Sequence, residues 1–289
     1  MLKVLYDGDN QLCNKLLFSL NMYASALEYE FEFEQDFSWL PNGLKLKNDP
    51  RVKEVKRNQM INKVINFVYI KKPKWLQMIP GNVMVTHLKE NKKFQQWLKT
   101  GKIKNTNCSW IGWPYYDIVD LRKHDEKVRA MFFFDKEIDA FGEQQLKDWR
   151  GDSEVVIGVH MRRGDYVTWK NGRYFYTDKQ YKMVMDHFAA QCGNSVTFVL
   201  FSNGTIDMNV WKDAKYSIVR AKGSAIQDLC CLSKCDYLMG PPSTFSGIAS
   251  YLGKIPRMII EDPHQDVSDK QFGIWLLQTD TWGNIERQQ

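Results

Sequence analysis

Val155-Val156-Ile157-Gly158-Val159 is an unbroken apolar run that ends in His160-Met161-Arg162-Arg163-Gly164-Asp165-Tyr166. Five apolar residues without polar alternation suit a strand covered on both faces, as in a parallel sheet flanked by helices. The residues that follow repeat the theme. Asp178 to Gln191 has helical spacing, Val196 to Phe201 reads as a second buried strand and Tyr216 to Val219 as a third. Ile226 to Lys234 is a short helix, Asp236 to Met239 a fourth strand, Phe245 to Leu252 a helix and Arg257 to Ile260 a fifth strand. This alternation predicts an α/β fold with a doubly wound parallel sheet, which binds ligands beyond the C-terminal ends of its strands.

Upstream, Lys3 to Tyr6 reads as a strand, and Leu12, Leu16, Leu20, Tyr23 and Leu27 mark one face of a helix. Glu28 to Phe33 alternates as a strand does. Between Leu40 and Trp110 the pattern is weak and broken by Pro41, Pro50, Pro73 and Pro80. Leu121 to Phe134 and Ile138 to Trp149 read as helices, and Arg150-Gly151-Asp152-Ser153 reads as a domain boundary. The expected division is therefore 1–152, 153–262 and a tail, 263–289, packing back on the first domain.

At 289 residues, with 44% hydrophobic and 26% charged residues, the composition excludes collagen-like and wholly disordered chains. No run of 18 apolar residues and no basic-then-apolar leader is present, so a cytoplasmic protein without a transmembrane segment is expected. Six cysteines do not form a disulfide framework in a chain of this length; Cys230, Cys231 and Cys235 read as buried thiols, since no His lies at ligand spacing. Charge is uneven. Lys45 to Lys104 holds 14 Lys and 2 Arg against Asp49, Glu54 and Glu90, a local balance of +13 in a chain of net +6. No nucleic-acid-binding motif accompanies it, so the expected role is a solvated face with weak association to an anionic membrane surface, and no nucleic-acid partner.

Three strand ends carry chemistry. Two adjacent arginines after a buried strand are costly unless an anion or carboxylate meets them, and a guanidinium fork matches phosphate oxygens. One of the pair is expected to face a ligand, the other to pair with a carboxylate such as Asp165. Ser202-Asn203-Gly204-Thr205 is a polar turn after the second strand. Gly240-Pro241-Pro242-Ser243-Thr244-Phe245-Ser246-Gly247 places hydroxyl residues at a helix start, where free N–H groups receive phosphate.

Gly158-Val-His-Met-Arg-Arg-Gly-Asp-Tyr166 resembles the H-x-R-R-x-D-Y motif of the α-1,2-fucosyltransferases, glycosyltransferase family 11. Phe201-Ser-Asn203 and Ser243-Thr-Phe-Ser246 resemble that family's second and third motifs in the same order, Asp9-Asn-Gln-Leu12 its G-N-Q-L opening, and Trp113-Pro-Tyr-Tyr116 its segment ahead of the donor domain. Three positions depart from the pattern: Asp9 for glycine, Asn203-Gly204 for acidic residues, and Gly247 for an aromatic.

The resemblance implies a GT-B-like enzyme of two Rossmann-like halves, with an acceptor-side N-terminal domain and a GDP-fucose-binding domain over 153–262. It implies inverting transfer of L-fucose from GDP-fucose to a glycan acceptor, O2 of a β-galactoside, with no cofactor and no metal. Arg162 would hold the β-phosphate. His160 and Asp228 would serve guanine and ribose, and Ser243, Thr244, Phe245 and Ser246 the diphosphate and nucleoside. Ser202 and Asn203 belong to the donor site, Arg163 and Asp165 support it with Asp165 a candidate base, and Asp9, Asn10 and Gln11 lie on the acceptor side. Asp7-Gly8-Asp9 has the D-x-D form of metal-dependent transferases, but it precedes any complete βαβ unit and reads as a turn. The alternatives are a related GDP-sugar transferase with another linkage or a protein-bound glycan acceptor, and a non-catalytic polyanion-binding protein.

Overall fold

The structure is a computed structural model that describes residues 1–6, 11–71, 75, 82–85, 91–112, 115–191, 193, 195–265, 267–268, 271–280 and 283–284. Asp7, Asp9, Asn10, His87, Trp113, Pro114 and Cys192 lie outside the described residues. The chain divides into two compact units, 1–133 and 134–289.

In the first unit the strands are Leu2–Tyr6 (β1), Phe33–Gln35 (β2), Leu44–Leu46 (β3), Val52–Glu54 (β4), Asn82–Val85 (β5) and Cys108–Ile111 (β6), followed by Phe132–Phe134 (β7) at the boundary. Five of them form a parallel sheet in the order β4-β2-β1-β6-β5, and β3 pairs with β7. The Leu12–Glu28 helix is buried on almost every side, including Ser19, Asn21 and Ser25. Such burial is tolerable because these polar groups are bonded: Ser19 Oγ donates to Lys15 O at 2.9 Å, Asn21 Nδ2 to Leu17 O at 2.8 Å and Ser25 Oγ to Asp120 Oδ2 at 2.9 Å.

In the second unit Val155–Met161 (β8), Val196–Ser202 (β9), Ser217–Arg220 (β10), Tyr237–Gly240 (β11) and Arg257–Ile259 (β12) form a parallel sheet in the order β10-β9-β8-β11-β12. Pairing runs from Val155 opposite Val196 to Met161 opposite Ser202, and Tyr237 stands opposite Ile157. Successive side chains of β8 point to opposite faces. Ile157, Val159 and Met161 enter a core with Tyr181, Val184, Met185 and Phe188 of the Asp178–Gln191 helix. Gly158 points the other way, where an added Cβ would lie 2.7 Å from Leu232 Cδ2. Both faces are thus covered, which is why β8 reads as a continuous apolar run. With β8 central, the order reverses between β9 and β11, so the Rossmann-like switch point lies beside the C-terminal end of β8. The two units are Rossmann-like α/β layers in succession, the GT-B-like organisation expected from the sequence.

Several boundaries differ from expectation. The units part at Phe133/Phe134 rather than near residue 152, because the Lys136–Arg150 helix packs within the second unit: Cys230 Sγ donates to Ile138 O at 3.4 Å, and Lys234 pairs with Asp139 at 2.7 Å. The described part of the tail also packs within the second unit. Gly273 N donates to Arg257 O at 3.2 Å, and Trp275 N donates to Ser250 Oγ at 3.0 Å. Leu121 to Phe134 is not one helix but Ile118–Lys123, Asp125–Arg129 and β7. The five described cysteines are buried free thiols.

Candidate donor-anion site at the sheet switch point

β8 ends by carrying His160 and Arg162 into the switch point, on the same face as Gly158. β11 delivers Gly240 beside them: its φ is +156° and a Cβ there would lie 2.5 Å from His160 O, so only glycine lets the two strand ends approach this closely. The Pro241-Pro242 turn follows, and Ser243 then caps the Thr244–Gly253 helix, its Oγ accepting from Phe245 N at 3.3 Å. Tyr166 ties the two loops together, its hydroxyl donating to Pro242 O.

His160 is 5% exposed, and its ring packs on Phe245 at 5.3 Å between centroids. Burial, with Arg162 and Arg257 nearby, pushes its pKa down to about 3, so the imidazole is neutral at pH 7. Arg162 lies over the Tyr166 ring at 5.3 Å and reaches Asp165 Oδ1 at 3.0 Å. Asp165 is half exposed, and an ion pair of that kind contributes little. Among the described residues, His160 Nδ1 and Arg162 Nε are buried without a hydrogen-bond partner. Two unsatisfied polar atoms, a cation and a helix start converge here, an arrangement that fits an anionic ligand.

Arg163 plays a different part. Its guanidinium is bonded to Asp178 and to Tyr176 O, and it lies 5.5 Å from the centroids of Phe175 and Tyr181. Its backbone N–H donates to Asn203 Oδ1 at 2.8 Å, while Ser202 Oγ accepts from Gly204 N at 3.2 Å. Of the adjacent arginines, Arg163 is therefore the one locked internally, by Asp178; Asp165 belongs to Arg162 instead. A cavity of about 400 Å³ lies beside this pair, lined by Arg163, Phe175, Thr177, Asp178, Gly204 and Thr205.

Asp228 stands in the first turn of the Ala225–Leu232 helix, which starts with a Ser224/Gln227 capping box. Burial pushes its pKa up to about 6. Gln11 precedes the Leu12–Glu28 helix in the first unit. The sequence reading missed Arg257. It opens β12, is 3% exposed, and donates from Nη1 to Ser243 O at 2.9 Å and Ser246 Oγ at 3.2 Å. The sequence carries no signal for its burial, since an arginine at the start of a strand can stand at an exposed end.

Among the described residues no group of three or more His, Cys, Asp or Glu is placed to hold a metal ion, and no helix is long and apolar enough to cross a membrane. No curated protein matches the chain in sequence. Among solved structures, a mutant of Arabidopsis thaliana FUT1 in complex with GDP is similar at a TM-score of 0.62 and 11% identity, over 94% of this chain and 73% of that one. The fucosyltransferase NodZ from Bradyrhizobium is similar at a TM-score of 0.54 and 12% identity, over 91% of this chain and 96% of that one. These likenesses concern the fold. The model of glycosyl transferase family 11 matches residues 73–272, which include all three strand-end motifs. The chain belongs to glycosyltransferase family 11.

Proposed function

We propose that the protein transfers L-fucose from GDP-fucose to a hydroxyl of a glycan acceptor, O2 of a β-galactoside, with inversion at the sugar carbon and without a metal. The observation that carries this reading is the convergence of Arg162, the neutral His160 with its unsatisfied Nδ1, and the Ser243-capped helix start at one switch point. Support for the donor comes from family membership and from the GDP complex of the similar FUT1 structure and the GDP-fucose soak of NodZ.

In this reading the acceptor oxygen attacks the anomeric carbon as the bond to the β-phosphate oxygen breaks. Electrons leave with the diphosphate, and the acceptor proton passes to a base or to water. Charge grows on the diphosphate in the transition state, so fixed positive groups and helix N–H dipoles stabilise that state more than the ground state. Arg162 releases the exposed Asp165 and takes the β-phosphate. Asp165 is then left beside the reacting centre as the candidate base. Ser243, Thr244, Phe245 and Ser246 line the diphosphate and nucleoside. His160 and Asp228 serve guanine and ribose, a carboxylate suiting guanine because it accepts from both N1–H and N2–H. Arg163, held by Asp178, together with Ser202 and Asn203, supports the loop. Asp9, Asn10 and Gln11 are assigned to the acceptor side. Weak contact with an anionic surface is assigned to the Lys-rich segment, where Met60, Val64 and Phe67 stand exposed on the Gln59–Lys71 helix.

The test is a panel of GDP- and UDP-sugars against simple β-galactosides, with and without chelator, beside thermal melts with GDP and with heparin. Stabilisation by GDP and chelator-insensitive transfer from GDP-fucose are expected. Stabilisation by heparin but not by GDP would turn the reading toward polyanion binding, and loss of activity with chelator that a divalent ion restores would refute the metal-independent chemistry.

A further inference from the structure

Arg257 lies outside the Arg-Arg motif, yet it is tied to the same site. Its guanidinium is buried, and no carboxylate among the described residues pairs with it. Burying a cation without a counter-charge is unfavourable, and here burial lowers the pKa to about 9, which still leaves the group protonated at neutral pH. Its charge is felt at His160 and at Tyr166, so the guanidinium lies within electrostatic reach of the β8 tip.

The bonds it makes are specific. Nη1 donates to the carbonyl of the N-cap residue Ser243 and to the hydroxyl of Ser246, which itself donates to Ser243 O at 3.4 Å. The first turn of the Thr244–Gly253 helix is thereby fixed from beneath. From the other side, the Trp275 ring lies 5.4 Å from the guanidinium carbon. Trp275 occupies the space over Gly247, where an added Cβ would meet its ring carbon at 2.5 Å. The tail, the glycine and the arginine thus form one unit under the helix start.

We propose that Arg257 is a positioning residue of the donor site: it holds the first turn of the Thr244–Gly253 helix toward the diphosphate, and its unpaired charge is balanced by the phosphates of the bound nucleotide. This rests on the nucleotide-diphosphate reading given above. A residue acting at the phosphates affects GDP but not guanosine, whereas one that merely supports the fold affects both.

The experiment measures GDP and guanosine affinities by calorimetry for the wild type, Arg257→Met and Arg257→Lys. In Arg257→Met, GDP affinity is expected to fall about tenfold or more while guanosine affinity holds, and Arg257→Lys is expected to recover part of the loss. GDP affinity within twofold of wild type in Arg257→Met overturns the proposal, as does an equal loss for both ligands. If Arg257→Met does not fold, Arg257→Lys decides: a loss confined to GDP sustains the proposal, and unchanged GDP affinity overturns it. A wild type that binds no GDP overturns the donor reading itself, and this proposal with it.

Discussion

The two units are both built on five parallel strands with β-α connections, yet they bury charge in opposite ways. Among the described residues of the first unit, the carboxylate taken fully into the interior is Asp120, 5% exposed, and its surroundings close around it. Ser25 Oγ donates to it at 2.9 Å and is bonded in turn to the Tyr115 hydroxyl at 2.7 Å. Among the described residues of the second unit, the buried basic side chains are His160 and Arg257, which stand at the switch point with an unsatisfied ring nitrogen and an unpaired cation. A network that satisfies itself serves its own fold. One left open and positive is complete only with an anion, which is why the proposed function assigns the donor site to the second unit.

The sharpest way to break this contrast is to remove the cation nearest the expected phosphate. Arg162→Ala should lower kcat by about 100- to 1000-fold, the scale of one lost electrostatic contact in a transition state, while the circular dichroism spectrum and melting temperature stay near those of wild type. A variant keeping more than about a tenth of the activity would place the charge stabilisation elsewhere. Arg163→Ala serves as the contrast. It removes the partner of a part-buried Asp178 and is expected to lower stability together with activity.

Gly247 offers an effect of intermediate size. Trp275, arriving from the tail, occupies the space that a Cβ at this position would enter. Gly247→Ala should destabilise the protein by about 1–3 kcal/mol, the usual cost of overpacking, as read by urea unfolding. Combining it with Trp275→Ala should give a double variant more stable than the sum of the single losses, because the clash is gone. Strict additivity would show that the two side chains do not share the space.

How much of this was legible in the sequence follows from the length of each signal. β8 and β9 each run for seven residues under helices on both sides, so their apolar runs are unambiguous. The Ser243 cap follows from small hydroxyl residues between a strand and a helix. Between Leu40 and Trp110 the strands are only three or four residues each, β4 and β5 of the first sheet and β3 of the small one among them, too short for a period to register. β7 was absorbed into a helix because the spacing of Leu121 and Val128 extends smoothly into Phe132. Arg257 was passed over because one arginine at a strand start reads as an exposed end; that it is buried depends on Trp275 and Gly273, which return from later in the chain. Asp178 as the partner of Arg163 was hidden in the same way, since an acidic residue in a first turn already has an explanation.

The smallest effect tests the first unit. Burial first, then the neighbouring Asp117 carboxylate, pushes the Asp120 pKa from 3.8 to about 6. The folded state therefore holds a proton between about pH 4 and pH 6 that the unfolded state has released, so this group makes stability fall as pH rises through that window and then level off. A shift of this size corresponds to roughly 1–3 kcal/mol between the two ends. Asp120→Asn keeps an oxygen to accept from Ser25 and has no proton to lose. In melts at intervals from pH 4 to pH 8 it should gain on the wild type as pH rises, matching or exceeding it above pH 6, with GDP affinity unchanged throughout. Parallel pH profiles would mean that Asp120 is not the buried acid its bonding indicates. An altered GDP affinity would mean that the self-satisfied network of the first unit reaches the donor site, and the contrast between the units would have to be redrawn.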